Sequence, residues 1–128
     1  MTTLDDYASF AGEIGLIKID VEGHEGAVME GAAMLLAGRR IRDIIFEDYH
    51  PQPSAVTKCL RASGYDVFCI WPGWRKPFLL SLEQRAKLPT AEPHVTNFLA
   101  TRNPDRSRAR FKEAGWKCLS ARARLKAA

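Results

Sequence analysis

The first strong signal in the pattern of apolar and polar positions is the run Ile14 to Val21, rich in β-branched residues and almost wholly apolar. Such continuous apolarity predicts a strand buried on both faces, as in a parallel sheet. From His24 the period changes: Val28, Ala32, Leu35 and Leu36 fall on one face of a helix. Gly38 with Arg39 and Arg40 predicts its stop, the glycine taking the left-handed cap and the cations meeting the negative end of the dipole. Ile44-Ile45-Phe46 reads as a second buried strand, and Pro51 and Pro53 then break the chain. A helix is predicted from about Ser54 to Ala62, stopping at Gly64, followed by a third strand from Tyr65 to Trp71. Pro72 to Pro77 must be a loop, and Ser81 to Gln84 has the capping-box form that starts a short helix ending near Leu88. Thr96 to Thr101 is a last, weaker strand. Ahead of all these, Thr3 and Asp6 stand in a capping-box relation, with Asp in the place of Glu.

Strands alternating with helices, closed by one more strand, argue for an α/β layer with right-handed crossovers. Both early strands end in ionisable groups: Asp20, Glu22, His24 and Glu25 after the first, Glu47, Asp48, Tyr49 and His50 after the second. Open α/β sheets bind their ligands beyond the carboxyl ends of the strands, so these clusters are the candidate chemistry. If the first strand persists that far, Asp20 and Glu22 point to the same side, and close like charges raise one pKa toward that of a general base. Equally, Glu22 or Glu25 suits the first turn of a helix, where the dipole favours it. His24 is the best general base by intrinsic pKa and also fits a plain helix start. Glu47 and His50 can face the same crevice as Asp20. The ligand types present would suit a metal, but their spacing matches no standard pattern and no metal is expected. Trp71 and Trp74, beside Arg75 and Lys76, could cover an acceptor or serve as a lid over the sheet edge.

Composition narrows the setting. At 128 residues the chain has room for one domain, and its 46% hydrophobic and 27% charged content is that of an ordinary globular protein. No apolar stretch approaches the roughly 20 residues of a membrane helix, and the acidic start from Met1 to Asp6 is not a signal peptide. Cys59, Cys69 and Cys118 form no CxxC pair and no even framework, which suits reduced thiols and a cytoplasmic location. The net charge of +4 conceals an asymmetry. Residues 102–128 hold nine of the 19 Lys and Arg but only two of the 15 acidic residues, so this stretch carries +7 and the rest −3. That tail, interrupted by Gly115 and without a clean apolar stripe, is read as a loosely attached basic helix or a disordered end. Nucleic-acid binding is not expected, since no aromatic interleaving or motif accompanies the charge.

The series Thr3-Leu4-Asp5-Asp6, Ile17-Lys18-Ile19-Asp20-Val21-Glu22-Gly23-His24-Glu25, Gly31-Ala32 with Leu35, and Ile45-Phe46-Glu47 resembles the C-terminal half of FkbM-family methyltransferases, over residues 3 to 101. The resemblance implies a partial Rossmann-like class I methyltransferase sheet of about four strands, the last pair antiparallel, with the first strands missing. It divides the chain into residues 1–101, the methyltransferase half, and 102–128, the tail. It further implies S-adenosyl-L-methionine as cofactor and O-methylation of a hydroxyl on a sugar or secondary metabolite. Asp20 would stand beside the transferring methyl group, as base and cofactor contact, with Glu22 and His24 as further catalytic residues and Glu47, His50 and Trp74 toward the acceptor. The family's glycine-rich cofactor turn is not in this sequence, so the chain is expected to be a truncated form, inactive and unable to hold the cofactor alone. The alternative is a non-enzymatic remnant or split-enzyme half. An exposed sheet edge where the missing strands belong would then favour association, with another copy or with the missing N-terminal half.

Overall fold

The computed structural model describes residues 2–8, 12–88 and 96–112 of the chain. They form a five-stranded sheet in the order β1-β2-β5-β3-β4, where the strands are β1 (Ile14–Ile19), β2 (Ile41–Glu47), β3 (Asp66–Trp71), β4 (Phe78–Ser81) and β5 (Asn97–Thr101). Six helices accompany it: α1 (Leu4–Ala8), α2 (Glu25–Glu30), α3 (Ala33–Ala37), α4 (Ala55–Ala62), α5 (Leu82–Arg85) and α6 (Pro104–Lys112). β1 and β2 are parallel, while β5 inserts antiparallel between β2 and β3. β3 therefore runs in the direction of β2, and the carboxyl ends of β1, β2 and β3 emerge at one end of the sheet. The mixed α/β layer and the antiparallel pairing of the last two expected strands are as the sequence predicts. β4 is additional, a short strand that returns from β3 through the Pro72–Pro77 loop.

Register explains which residues make the core. Phe46 lies opposite Phe98, and their rings stack at 5.5 Å. Two-residue alternation puts Ile44, Val67, Cys69 and Ala100 on that same face. Met29, Leu35, Leu36, Val56, Leu60 and Leu82 from the helices complete one buried cluster with them. The opposite face is covered in part by α6. Its Arg108 guanidinium lies 5.0 Å over the Phe68 ring, Ser107 is buried and within 3.1 Å of the Thr101 hydroxyl, and Arg106 pairs with Asp43 at 3.0 Å. This stretch of the basic tail is thus packed helix, contrary to its reading as loosely attached. Periodicity missed it because the contacts are made by arginine and serine and not by an apolar stripe. Residues 113–128, with Gly115 and Cys118, lie outside the described residues.

β1 differs from its expected burial on both faces. Among the described residues it pairs only with β2, and of its six residues Ile19 alone is buried. Leu16 is 54% exposed. An apolar strand with an open outer edge is a template for further pairing.

The single helix expected after His24 is two, broken at Gly31 and Ala32. Ala32, as N-cap of α3, has no side chain that can cap. Asp5 supplies the cap from α1: its carboxylate accepts from the backbone N–H groups of Met34 at 2.9 Å and Leu35 at 3.0 Å, and its own N–H donates to the Gly31 carbonyl. The Thr3–Asp6 capping box that orients α1 is present as predicted. Asp5→Ala should cost about 1 kcal/mol, the usual worth of an N-cap. Urea denaturation checks this, and an unchanged midpoint would show that the cap contributes nothing.

The end of α3 also differs in detail. Gly38 has a helical φ of −74°, and the left-handed residue is Arg39, at φ +58°. The Arg40 N–H donates to the Leu35 carbonyl and the Arg39 N–H to that of Leu36, the paired bonds of a Schellman motif. An arginine occupies the position glycine usually takes, at a steric cost of roughly 1 kcal/mol.

Candidate functional site at the strand ends

β1 ends at Ile19, one residue short of Asp20. The chain then turns: Glu22 and Gly23 have φ of +45° and +91°, and the His24 N–H reaches the Val21 carbonyl at 3.3 Å. Two successive left-handed residues closed by such a bond make a type I′ turn. The alternation that would align Asp20 with Glu22 therefore does not continue past the strand. Glu22 is instead held at the tip, in a conformation that a non-glycine residue adopts at a cost and that recurs at functional sites. Asp20 is solvent-exposed and accepts from Lys18 Nζ at 2.6 Å. His24 is the N-cap of α2 but makes no side-chain capping bond. Glu25, only 3% exposed, accepts from the Gly23 N–H at 3.1 Å and so fastens the turn.

At the end of β2, Glu47 accepts from the Tyr49 hydroxyl at 3.1 Å and from Asn97 Nδ2 at 3.3 Å. The hydrogen bond to Glu47, then its charge, pushes the Tyr49 hydroxyl pKa up, and the charge of Glu22 adds to this. The Lys18 ammonium is likewise pushed up, first by its bond to Asp20 and then by that carboxylate's charge, with a smaller contribution from Glu47. The parallel register pairs Lys18 with Ile45 and Ile19 with Phe46, so Asp20 and Glu47 leave the two strands side by side.

His50 belongs to a different group. Its Nδ1 lies 3.0 Å from Oδ1 of Asp48, whose side chain is 1% exposed. The same carboxylate accepts from the His50 N–H at 2.9 Å, from Gln52 Nε2 at 3.1 Å and, through a short contact, from the Ser54 hydroxyl. Burial alone would raise the Asp48 pKa, but the bonds from Ser54, His50 and Gln52 outweigh it and hold the carboxyl below its ordinary value. An ionised carboxylate only accepts, so Nδ1 of the exposed His50 ring is the donor in this contact. Ser54 also caps α4, accepting from the Thr57 N–H at 3.1 Å.

Trp74 is 99% exposed, in the loop that leaves β3 at the same end of the sheet. It does not lie on the sheet as a lid. Gly73 is required beside it, because a Cβ there would stand 2.4 Å from the Phe78 ring and 2.5 Å from the Lys76 carbonyl. Trp71, by contrast, is half-buried against the core.

Asp48 and Ser54 were missed as site residues. The available signal was alternation: Ile44, Phe46 and Asp48 share a face, and a carboxylate on a buried face needs donors nearby. Among the described residues no three His, Cys, Asp or Glu side chains gather in a group able to hold a metal ion. No described helix is long and apolar enough to cross a membrane.

Residues 1–67 match the family model described as the methyltransferase FkbM domain. No curated protein and no solved structure matches the chain. The match ends just inside β3 and includes both strand ends and the turn between β1 and α2. Methyltransferases of this kind in general use S-adenosyl-L-methionine, and no glycine-rich turn that would cradle it lies among the described residues. The one glycine-bearing strand–turn–helix among them is β1–α2, where the Gly23 N–H donates to the chain's own Glu25.

Proposed function

The chain belongs to the FkbM methyltransferase family, and from that premise we propose that it forms the acceptor-facing part of an S-adenosyl-L-methionine-dependent O-methyltransferase site, acting on a hydroxyl of a sugar or secondary metabolite. The observation that carries this reading is the family match at the carboxyl ends of β1 and β2, where the register sets Asp20 beside Glu47 and the following turn carries Glu22. On this reading Asp20, Glu22 and His24 line the rim where the acceptor hydroxyl loses its proton, and Asp20 also faces the methyl donor. Glu47, His50 and Trp74 orient the acceptor, and Asp48 fixes the His50 ring. The donor's own cradle comes from a strand and glycine-rich turn outside this set of residues, aligned along the open edge of β1. Positioning is the main contribution an enzyme makes to such a transfer, so this part alone does not turn over.

The test is a labelled-methyl assay on hydroxylated acceptors, run with the purified chain alone and with a glycine-rich N-terminal half from an FkbM methyltransferase added. Product is expected only in the combined sample, and Asp20→Ala should lower it by roughly 100-fold, the usual scale of general-base loss. Transfer to nitrogen or carbon acceptors, or full activity of Asp20→Ala, would overturn the reading.

A further inference from the structure

At the opposite end of the sheet, where β1 and β2 begin and β5 finishes, lies a cleft of about 370 Å³ lined by Glu13, Arg39, Arg40, Arg42, Arg102 and Asn103. Four arginines and one glutamate line a space the size of a small-molecule site. Each arginine is brought there by a specific feature of the fold. Arg102 stacks over the Tyr65 ring at 4.6 Å while its NH2 group donates to the carbonyls of Leu36 at 3.2 Å and Ser63 at 3.0 Å. Its Nε–H is the one buried side-chain donor among the described residues that has no acceptor. Arg42 lies along β1 over Gly15 and shares its charge with Asp43 at 2.9 Å. Arg40 reaches the Gly12 carbonyl at 3.3 Å. Arg39 is held in the left-handed conformation at the end of α3.

The lining sets four arginines against one carboxylate, Glu13, with the charge of Arg42 shared with Asp43. We propose that this cleft binds a small anion bearing a phosphate group. Guanidinium forks match phosphate oxygens in pairs, and several convergent forks favour a ligand with three terminal oxygens over a single carboxylate. The left-handed backbone at Arg39 fits this reading, since a glycine there would relieve strain but remove a guanidinium. The cleft is separate from the strand ends at which methyl transfer is proposed, and its binding does not depend on that reaction.

Calorimetric titration of the purified chain at low salt, with inorganic pyrophosphate and a hexose phosphate in parallel, tests this. Saturable binding of either is expected, and the tighter of the two identifies free or organic phosphate as the ligand. Arg39→Gly and Arg40→Gln should each weaken binding by roughly tenfold, the scale of one charge-assisted contact. Arg39→Gly should also unfold at a temperature equal to or above that of the parent chain, so its loss of binding is not a loss of fold. Absence of saturable heat, or citrate binding as tightly as pyrophosphate, would overturn the proposal. So would affinity unchanged in both cleft variants but lost in Arg122→Gln/Arg124→Gln.

Discussion

Replacing Asp43 with alanine is expected to lower the unfolding free energy by about 2–3 kcal/mol, the range for leaving a buried donor without its charged acceptor. The Asp43 side chain is only 8% exposed and accepts from the Thr101 hydroxyl at 2.6 Å, Arg42 Nε at 2.9 Å and an Arg106 guanidinium nitrogen at 3.0 Å. Without it, two cations and a buried hydroxyl lose their acceptor on the face that α6 covers. Burial works against the ionised form, but the bonds from Thr101 and Arg42 and the charges of Arg42 and Arg106 prevail, and the carboxyl stays below its ordinary value of 3.8. The sign of the pH dependence follows. A depressed folded-state pKa contributes stability that is full above the unfolded value and is lost as the pH falls through the folded one. The gap between the parent chain and Asp43→Ala in denaturant titrations should therefore be full at neutral pH and close below about pH 4. Hydrogen exchange should also show α6 losing protection in the variant. A gap of the same size at both pH values would mean that the charge of Asp43 is not what matters.

How much of this was legible in the sequence depended on whether the contact was local and apolar. The Thr3–Asp6 and Ser81–Gln84 capping boxes, the α4 N-cap at Ser54 and the four expected strands follow short-range rules that the chain obeys. The helix after His24 did not stay whole, because its apolar stripe runs through Gly31 and the second half is capped by Asp5, 29 residues before Met34. No periodicity reveals a cap supplied from so far away. The same holds for α6, whose Arg106 meets Asp43 across 63 residues of sequence. At the strand ends, the turn sets side-chain directions that the strand pattern does not reveal. A type I′ turn with Glu22 at its first left-handed position defies local preference, and the strand pattern alone would have continued to Val21. Such conflicts between local preference and observed backbone are expected where function has been placed. Glu22 and Arg39 are the two non-glycine residues with positive φ among those described, and they stand in the two sites argued above.

Asp48→Ala should cost about 2–4 kcal/mol and release the His50 ring, because a buried acceptor is removed from several donors at once. Ser54 loses the stronger of its two anchors and His50 both its backbone and its ring contact. The turn between β2 and α4 is then tied to the sheet chiefly by the Asp48 N–H, which donates to the Thr96 carbonyl at 2.8 Å and survives the substitution. Asp48→Asn separates structure from chemistry. Its amide oxygen can still accept from Ser54, so most of the stability should return, but a neutral amide no longer requires the proton on Nδ1 of His50. Nitrogen-15 spectra of the imidazole report this directly: Nδ1 should be protonated in the parent chain, and Asp48→Asn should populate the tautomer protonated at Nε2. If the tautomer is unchanged while stability falls, Asp48 serves only to hold the Pro51–Pro53 turn. If the tautomer changes while Asp48→Asn stays folded, Asp48 sets which ring nitrogen of His50 donates and which is left to accept.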